Sequence, residues 1–514
     1  MTETTTPPSD QKEARGGLKP WQVGELPPLP VARGLGFLGI LGPGAIILGA
    51  TIGSGEWLLG PATFVRYGLS LLWVTTVAIF LQTVFNTELL RYTMYTGEPG
   101  LTGFMRLKPG STFWAWLYAF FFFFQVGWPG WAGSSAGAIF YLFVGRLSGH
   151  ADSSLVYWIG VGTFLVCILI LLFGRRIERT LEILNWILVF FILSGLALLC
   201  LAFTSPEKWG EALAGFAGFS TRAERFIFIP QGADWFLLSA FAAYSGAGGV
   251  VNLMVSSWAR DKGLGMAGQV GFIPAVIGAR KVSLAHIGIR FDVTPKSLTV
   301  WKQWWRVAQM DQWLIFCVGS ILGMALPAIL YTSFIEPGRD IRSVAIAAEL
   351  ANAMSTRGIA VFAYLVALIG AWVLFKTQLD IVEGMVRSIT DILWTGSKRL
   401  HKMTSGDVRY VYYTILAVIV VWGVLALRLT QPIVLLQLGA NMAGLVFVVS
   451  ALQILHINTT LLPVELRPPL WRRLALILMA VFYGCFFYVW LMGGILPDPA
   501  KGFLFNIPKY FSGG

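Results

Sequence analysis

Two long apolar stretches of this chain are interrupted by glycine clusters, Gly53-Ser54-Gly55-Glu56 and Gly246-Ala247-Gly248-Gly249. Each stretch is long enough to cross a bilayer, so each cluster falls at membrane depth. A helix that unwinds there frees backbone N–H and C=O groups, which hydrocarbon cannot satisfy. Such interruptions persist only where they are buried in protein or line a polar cavity. Their matched placement predicts two structural repeats that meet at one central site.

Composition supports a chain built for the bilayer. Hydrophobic residues make up 56% and charged residues 12%, about half the charged share of a soluble domain. The net charge of +12 raises nucleic acid as a partner. The basic residues, however, sit in short loops beside apolar runs rather than in one patch, so nucleic acid is excluded and the lipid bilayer is the expected surrounding. Cys167, Cys200, Cys317 and Cys485 all fall inside apolar runs. They form neither a disulfide framework nor a CxxC pair, and read as small buried residues. Residues 1–32 are polar, lack the apolar core of a signal peptide, and are expected to form a disordered cytosolic tail.

Apolar runs of about 20 residues give eleven spans, at 35–65, 69–95, 112–145, 154–173, 180–203, 233–259, 312–334, 358–388, 410–427, 432–456 and 472–496. Loop charge tests this count. With the N-terminus inside, the cytosolic loops carry Arg106 and Lys108, then Arg175, Arg176 and Arg179, then a basic run that includes Arg260, Lys262, Arg280 and Lys281. Lys398, Arg399, Lys402 and Arg409 follow span 8, and Arg467, Arg472 and Arg473 follow span 10. The outer loops are poorer in base. The bias places the N-terminus in the cytosol and the C-terminus outside the cell membrane. The segment from Val300 to Arg306 mixes Trp and basic residues and reads as lying in the cytosolic headgroup zone. The Phe120–Phe124 run reads as lipid-facing or packing bulk.

The residues around the first break resemble a known family. Leu41-Gly42-Pro43-Gly44, then Gly53-Ser54-Gly55-Glu56-Trp57, then Tyr67-Gly68-Leu69-Ser70-Leu71-Leu72-Trp73-Val74 is similar to the start of the Nramp divalent-metal transporters. That family has a GPG opening, a DPGN motif before Trp, and a YSLLWV-like second span. Gly249-Val250-Val251-Asn252-Leu253 resembles its MPHN motif in span 6. The resemblance covers 41–97 well and spans 1–10 loosely. It implies an all-α polytopic fold with a LeuT-type five-plus-five inverted repeat and broken helices 1 and 6. The first repeat would be 33–205, the second 206–458, with helix 11 and a C-terminal tail in 459–514.

The departures are as informative as the match. Position by position, the family's metal-binding Asp falls on Gly53, its Asn on Glu56, its methionine ligand on Gly249 and its histidine on Val251. The acidic residues its third span uses for proton movement have no counterpart in Gln125–Gly137.

Glu56 therefore carries the chemistry, because a carboxylate at membrane depth is a functional candidate by default. With freed carbonyls around Ala50–Gly53 and the Asn252 amide it makes an all-oxygen set, suited to Mg²⁺ or Mn²⁺. Glu56 and Asn252 are the expected metal ligands, and Gly53, Gly249 and Asn441 the rest of the site. Each has a plainer account. Glu56 could be a hydrogen-bonded acid closing the break, Asn252 an N-cap, and Asn441 a polar tie between two helices.

Span 8 carries Lys376, Gln378, Asp380 and Glu383. Lys376 and Asp380 are i,i+4 and can neutralise each other. They and Glu383 are candidates for coupling, or else solvated charges at a helix end. Glu88 and Arg91 read as an interfacial pair, Asp234 as a vestibule charge or helix-start residue, and His456 as a satisfied histidine. No Walker A or HExxH motif is present, so the chain is not expected to be an enzyme or to hold a cofactor. The leading expectation is a secondary transporter of a hard divalent ion. The alternatives are a carrier of a small organic solute, for which the glycine-rich second break leaves room, and a non-transporting membrane sensor.

Overall fold

Each of the eleven apolar stretches carries helix in the computed structural model, which describes residues 15–30, 42–173, 177–270, 288–343, 345–397, 399–400 and 407–511. Leu41, Arg175, Arg176, Arg280, Lys281, Lys398 and Lys402 lie outside the described residues. Among the described residues, seven helices are individually long and apolar enough to cross a membrane: Leu69–Thr96, His150–Leu172, Pro295–Phe334, Ala360–Gly396, Val408–Ala426, Pro432–Thr460 and Leu470–Met492. Span 5 is the helix Ile177–Phe203, and spans 1, 3 and 6 are built from shorter pieces.

Span 1 runs as Pro43–Thr51, a short turn, a π-helical segment Gly55–Leu59 and then Gly60–Tyr67. Span 6 runs as Trp235–Tyr244 and Val250–Asp261. Between its halves Gly246, Gly248 and Gly249 have φ of 102°, 86° and 50°, values that side chains with a Cβ rarely adopt. Both expected breaks are present.

Span 3 is a third interrupted segment, where one continuous span is predicted. It divides into Ser111–Val126 and Gly130–Val144. Pro129 has no N–H to donate, and it disfavours helix at the residue before it, so the ladder stops at Gly127. In this helix Phe120 and Phe124 are exposed, while Phe121 and Phe122 pack inward.

Span 7 begins earlier than predicted. Pro295–Gln309 runs through a π segment, Met310–Cys317, into Val318–Phe334. The Val300–Arg306 segment is thus part of the lead of a long helix. Trp301 and Trp304 are buried, and the Trp305 ring lies under Arg91, whose guanidinium carbon is 4.0 Å from its centroid. Only Lys302, Gln303 and Arg306 keep an exposed face.

The N-terminal stretch also departs from expectation. Residues 18–29 pack against the bundle instead of trailing free, because Trp21 is buried between Tyr92 and Tyr95. Gln22–Gly24 pairs in parallel with Ile289–Phe291, and Phe219–Ser220 pairs antiparallel with Arg225–Phe226. These are the two small sheets of the described residues. Three cysteines are buried as expected, but Cys485 is exposed on the outer face of span 11.

Candidate functional site

The two breaks touch. A Cβ built on Gly55 would lie 2.0 Å from the Tyr244 carbonyl oxygen, so only glycine lets the π segment of span 1 approach the end of span 6's first half. Glu56 projects into this contact and is fully buried. Its Oε2 accepts from the Gly53 N–H at 3.2 Å, and the Gly246 N–H also faces the carboxylate. Oε1 accepts no well-formed hydrogen bond. Gly323 of span 7 lines the same space, with an added Cβ 3.6 Å from Glu56 Cγ.

The backbone groups of the breaks are largely engaged. In span 1 the Ile52 carbonyl accepts from Thr377 Oγ1 at 3.3 Å, and the Gly53 carbonyl from the Trp57 N–H at 2.9 Å. Both lie within the Ala50–Gly53 stretch expected to offer free carbonyls. In span 6, two buried glutamines do the same work. Gln82 of span 2 donates to the Ser245 carbonyl at 2.9 Å and accepts from Ala247 N–H at 2.8 Å. Gln125 of span 3 donates to the Gly248 carbonyl at 2.8 Å and accepts from Val250 N–H at 2.9 Å. A carboxamide has one donor edge and one acceptor edge, so each glutamine replaces a missing rung of the helix. A Cβ on Gly249 would lie 2.2 Å from Gln125 Oε1, and one on Gly246 2.6 Å from Gln82 Oε1. The glycines make room for the glutamines.

Asn252 is buried and leads away from this centre. Its Nδ2 donates to Asn86 Oδ1 at 2.9 Å, and Asn86 donates to Gln312 Oε1 at 3.0 Å. Gln312 donates to Asp311 Oδ2 at 2.8 Å. Asp311 in turn accepts from the Gly42 and Gly44 N–H groups at 3.1 and 2.6 Å. A carboxylate thus caps the first half-helix of span 1, where helix dipole and free N–H groups favour negative charge. The Asn252 Oδ1 has no hydrogen-bond partner. Asn441 donates to the Phe236 and Gln437 carbonyls at 3.1 and 2.8 Å, tying span 10 to the first half of span 6.

Span 8 presents a buried row of ion pairs. Lys376 lies 2.5 Å from Asp380, and Glu383 pairs with Arg387. Arg387 continues to Asp261 at 3.0 Å, and Arg260 bridges Asp261 and Asp391. Gln378 accepts from the Ala132 N–H beside the span 3 break. These groups are buried, so the solvated helix-end account does not hold for Lys376, Asp380 and Glu383. Glu88 pairs with Arg91, as expected, but it is buried and also holds Arg472 and Asn458. Asp234 caps span 6 through the Phe236 and Leu237 N–H groups and meets Arg66 and Arg342. In the same cluster the Arg342 guanidinium holds Asp340 below the usual carboxylate range.

Gln82, Gln125, Asn86, Gln312 and Asp311 escape the sequence reading. Their signal was available: each is an uncharged amide or an acid inside or beside an apolar run, where polar side chains are costly unless partnered. Among the described residues no group of three or more His, Cys, Asp and Glu could hold a metal.

No protein-family model matches the chain, and no curated protein matches it. Solved structures do. The manganese transporter of Eremococcus coleocola, in complex with an aromatic bis-isothiourea substituted compound, aligns at 14% identity over 94% of this chain and 93% of that one, with a TM-score of 0.59. Two mutant structures of the same transporter align at 13% identity over 95% and 94% of the two chains, with TM-scores of 0.61 and 0.60. At such identity the likeness is one of fold. The chain is a helical multi-pass membrane protein with the Nramp-like, LeuT-type architecture, broken at helices 1 and 6.

Proposed function

We propose that this chain is a secondary transporter in the cell membrane that moves a hard divalent cation, such as Mg²⁺ or Mn²⁺, by alternating access. Its N-terminus lies in the cytosol and its C-terminus outside. The observation that carries the reading is Glu56: a fully buried carboxylate at the contact of the two breaks, with one oxygen lacking a hydrogen-bond partner. Carboxylate, carbonyl and carboxamide oxygens suit a hard ion, and one carboxylate suits an ion that keeps part of its water shell. Asn252 Oδ1 is a second buried oxygen without a partner, but its amide belongs to the Asn86–Gln312–Asp311 chain that leads away from Glu56, so Glu56 carries the reading alone. The space that would admit an organic solute at Gly246 and Gly249 is taken by Gln82 and Gln125, which favours the ion over the solute.

Lys376, Asp380 and Glu383 are the coupling candidates in this reading. Lys376 and Asp380 flank Thr377 and Gln378, and Thr377 holds the Ile52 carbonyl. A change in the charge of that pair is therefore one residue away from a contact to the first break.

Calorimetric titration of Mg²⁺, Mn²⁺ and Ca²⁺ into the protein in nanodiscs, beside Glu56→Gln, tests the proposal, with flux into proteoliposomes as the second readout. The expected result is saturable binding of at least one ion that Glu56→Gln abolishes. No divalent binding by the native protein, or equal binding by the variant, would overturn the cation reading.

A further inference from the structure

A second polar cavity lies away from the two breaks, at the end of the bundle where spans 4 and 10 begin. Its volume is about 390 Å³, within the roughly 300–1,000 Å³ of pockets that hold small molecules. Close helix packing sets its floor. A Cβ on Gly133 of span 3 would lie 2.6 Å from Pro432 Cγ, and one on Gly160 of span 4 would lie 3.3 Å from the Gly133 Cα.

The lining decides what can enter. Among the described residues no Asp or Glu lines the cavity, whereas Arg428, His150, Ser148, Ser153 and Thr430 do. The Arg428 guanidinium stacks over the Tyr157 ring, 4.8 Å from its centroid, and forms no hydrogen bond or ion pair among the described residues. The Ser148 Oγ is buried and has no hydrogen-bond partner. Asp152 is the one acid in the loop that carries Ser148, and both its oxygens are taken. Arg146 donates to them at 2.7 and 2.9 Å, and the Gly149 N–H donates to Oδ2 at 2.8 Å. Its charge is met inside the loop, so the charge of Arg428 is not. Two helices also begin on the cavity wall, Ser153–Phe173 and Pro432–Thr460, and no side chain caps the second. Free N–H groups and the positive end of a helix dipole favour an anion. An unpaired guanidinium held flat by an aromatic ring, a buried free hydroxyl and two helix starts, with no acid to oppose them, repel a cation and suit an oxyanion.

We propose that this cavity binds a phosphate-type oxyanion, with Arg428 as its charge partner and the Ser148 hydroxyl as a second donor. The guanidinium fork meets two oxygens of one phosphate at once, and Tyr157 fixes its plane. Free phosphate and the headgroup of a bilayer lipid present the same chemistry to these groups. A bound anion ties the loop before span 10 to the start of span 4. The inference goes beyond the cation proposed at Glu56, because the two sites share no residue.

The test is equilibrium dialysis of radiolabelled inorganic phosphate against the delipidated full chain in dodecyl maltoside, with divalent ions chelated and ionic strength held constant by potassium chloride. A second arm uses glycerophosphoglycerol, the water-soluble headgroup of phosphatidylglycerol. Saturable binding of one phosphate per chain is expected. Arg428→Gln should weaken it about tenfold or more, the loss of a charge-assisted contact, and Ser148→Ala should weaken it severalfold. Arg225→Gln, which removes the same charge from an exposed arginine outside the cavity, should leave it unchanged. Binding of glycerophosphoglycerol alone, with the same dependence on Arg428, would assign the site to a lipid headgroup. No binding of either probe, or equal binding by Arg428→Gln, would overturn the proposal, and Ser148→Ala decides it if Arg428→Gln does not fold. Because no divalent ion is present, failure of the cation reading would leave the result intact.

Discussion

Gln125→Leu isolates the role of the glutamines, because it keeps a side chain of similar bulk and removes the carboxamide's donor and acceptor edges. The Gly248 carbonyl and the Val250 N–H, bonded at 2.8 and 2.9 Å, are then left without their partner. An orphaned buried backbone group costs about 1–3 kcal/mol, so the two together cost about 2–6 kcal/mol. That is a large share of a typical folding free energy of roughly 5–15 kcal/mol. Urea or mild SDS unfolding of the purified protein, followed by tryptophan fluorescence, reads the loss directly. Gln125→Glu separates the two halves of the clamp. It keeps the acceptor for Val250 but sets a carboxylate against the Gly248 carbonyl, so it too should destabilise. In the hard-cation reading, millimolar Mn²⁺ should restore part of that loss by taking the place of the amide N–H. A change below about 0.5 kcal/mol for Gln125→Leu, the range of an ordinary surface substitution, would refute the claim that this glutamine sustains the break.

Two further outcomes follow from the geometry. Asp311→Ala removes the acceptor of the Gly42 and Gly44 N–H groups and should loosen the first half-helix of span 1. Hydrogen exchange at residues 43–51 should rise by a factor of ten or more, in line with a loss of about 2 kcal/mol, with little change at residues 432–460. In the loop after span 7, the Arg342 guanidinium depresses the Asp340 pKa in the folded protein. The ion pair's contribution is then complete above the ordinary carboxylate value of about 3.9 and fades as pH falls through the lower folded value. Exchange at residues 336–343 should be flat from pH 8 to about 5 once corrected for its intrinsic rate, and should rise only below about pH 4.

The parts of this fold that follow from local periodicity and residue chemistry were legible in the sequence. The spans show as apolar runs, and the second break shows because Gly246, Gly248 and Gly249 all take positive φ. Glu56 was legible because an acid inside an apolar run has few accounts. The span 3 interruption was visible only as Pro129, and the apolar run around it hid the stop. Pairings across the chain were not legible. Gln82 and Ala247 are separated by 165 positions, and Gln125 and Val250 by 125; no local pattern links an amide in one span to an unpaired backbone group in another. The packing of residues 18–29 has no periodicity either, and its clues are Trp21 and Leu26, the two buried apolar residues of that stretch.

Position 249 shows why such pairings change the chemistry and not only the geometry. Taken alone, glycine where the family that the sequence resembles carries methionine reads as a lost ligand and an open space. In the folded chain that space holds the Gln125 carboxamide, and a side chain at 249 would strike its oxygen at 2.2 Å as well as strain a backbone at φ 50°. The two positions therefore exclude one another: a thioether from span 6 or an amide from span 3, but not both. Choosing the amide replaces a soft, polarisable donor by a hard oxygen and fixes the unwound backbone in the same step. In the hard-cation reading, the preference for a hard ion and the rigidity of the second break are then two consequences of one exchange between helices.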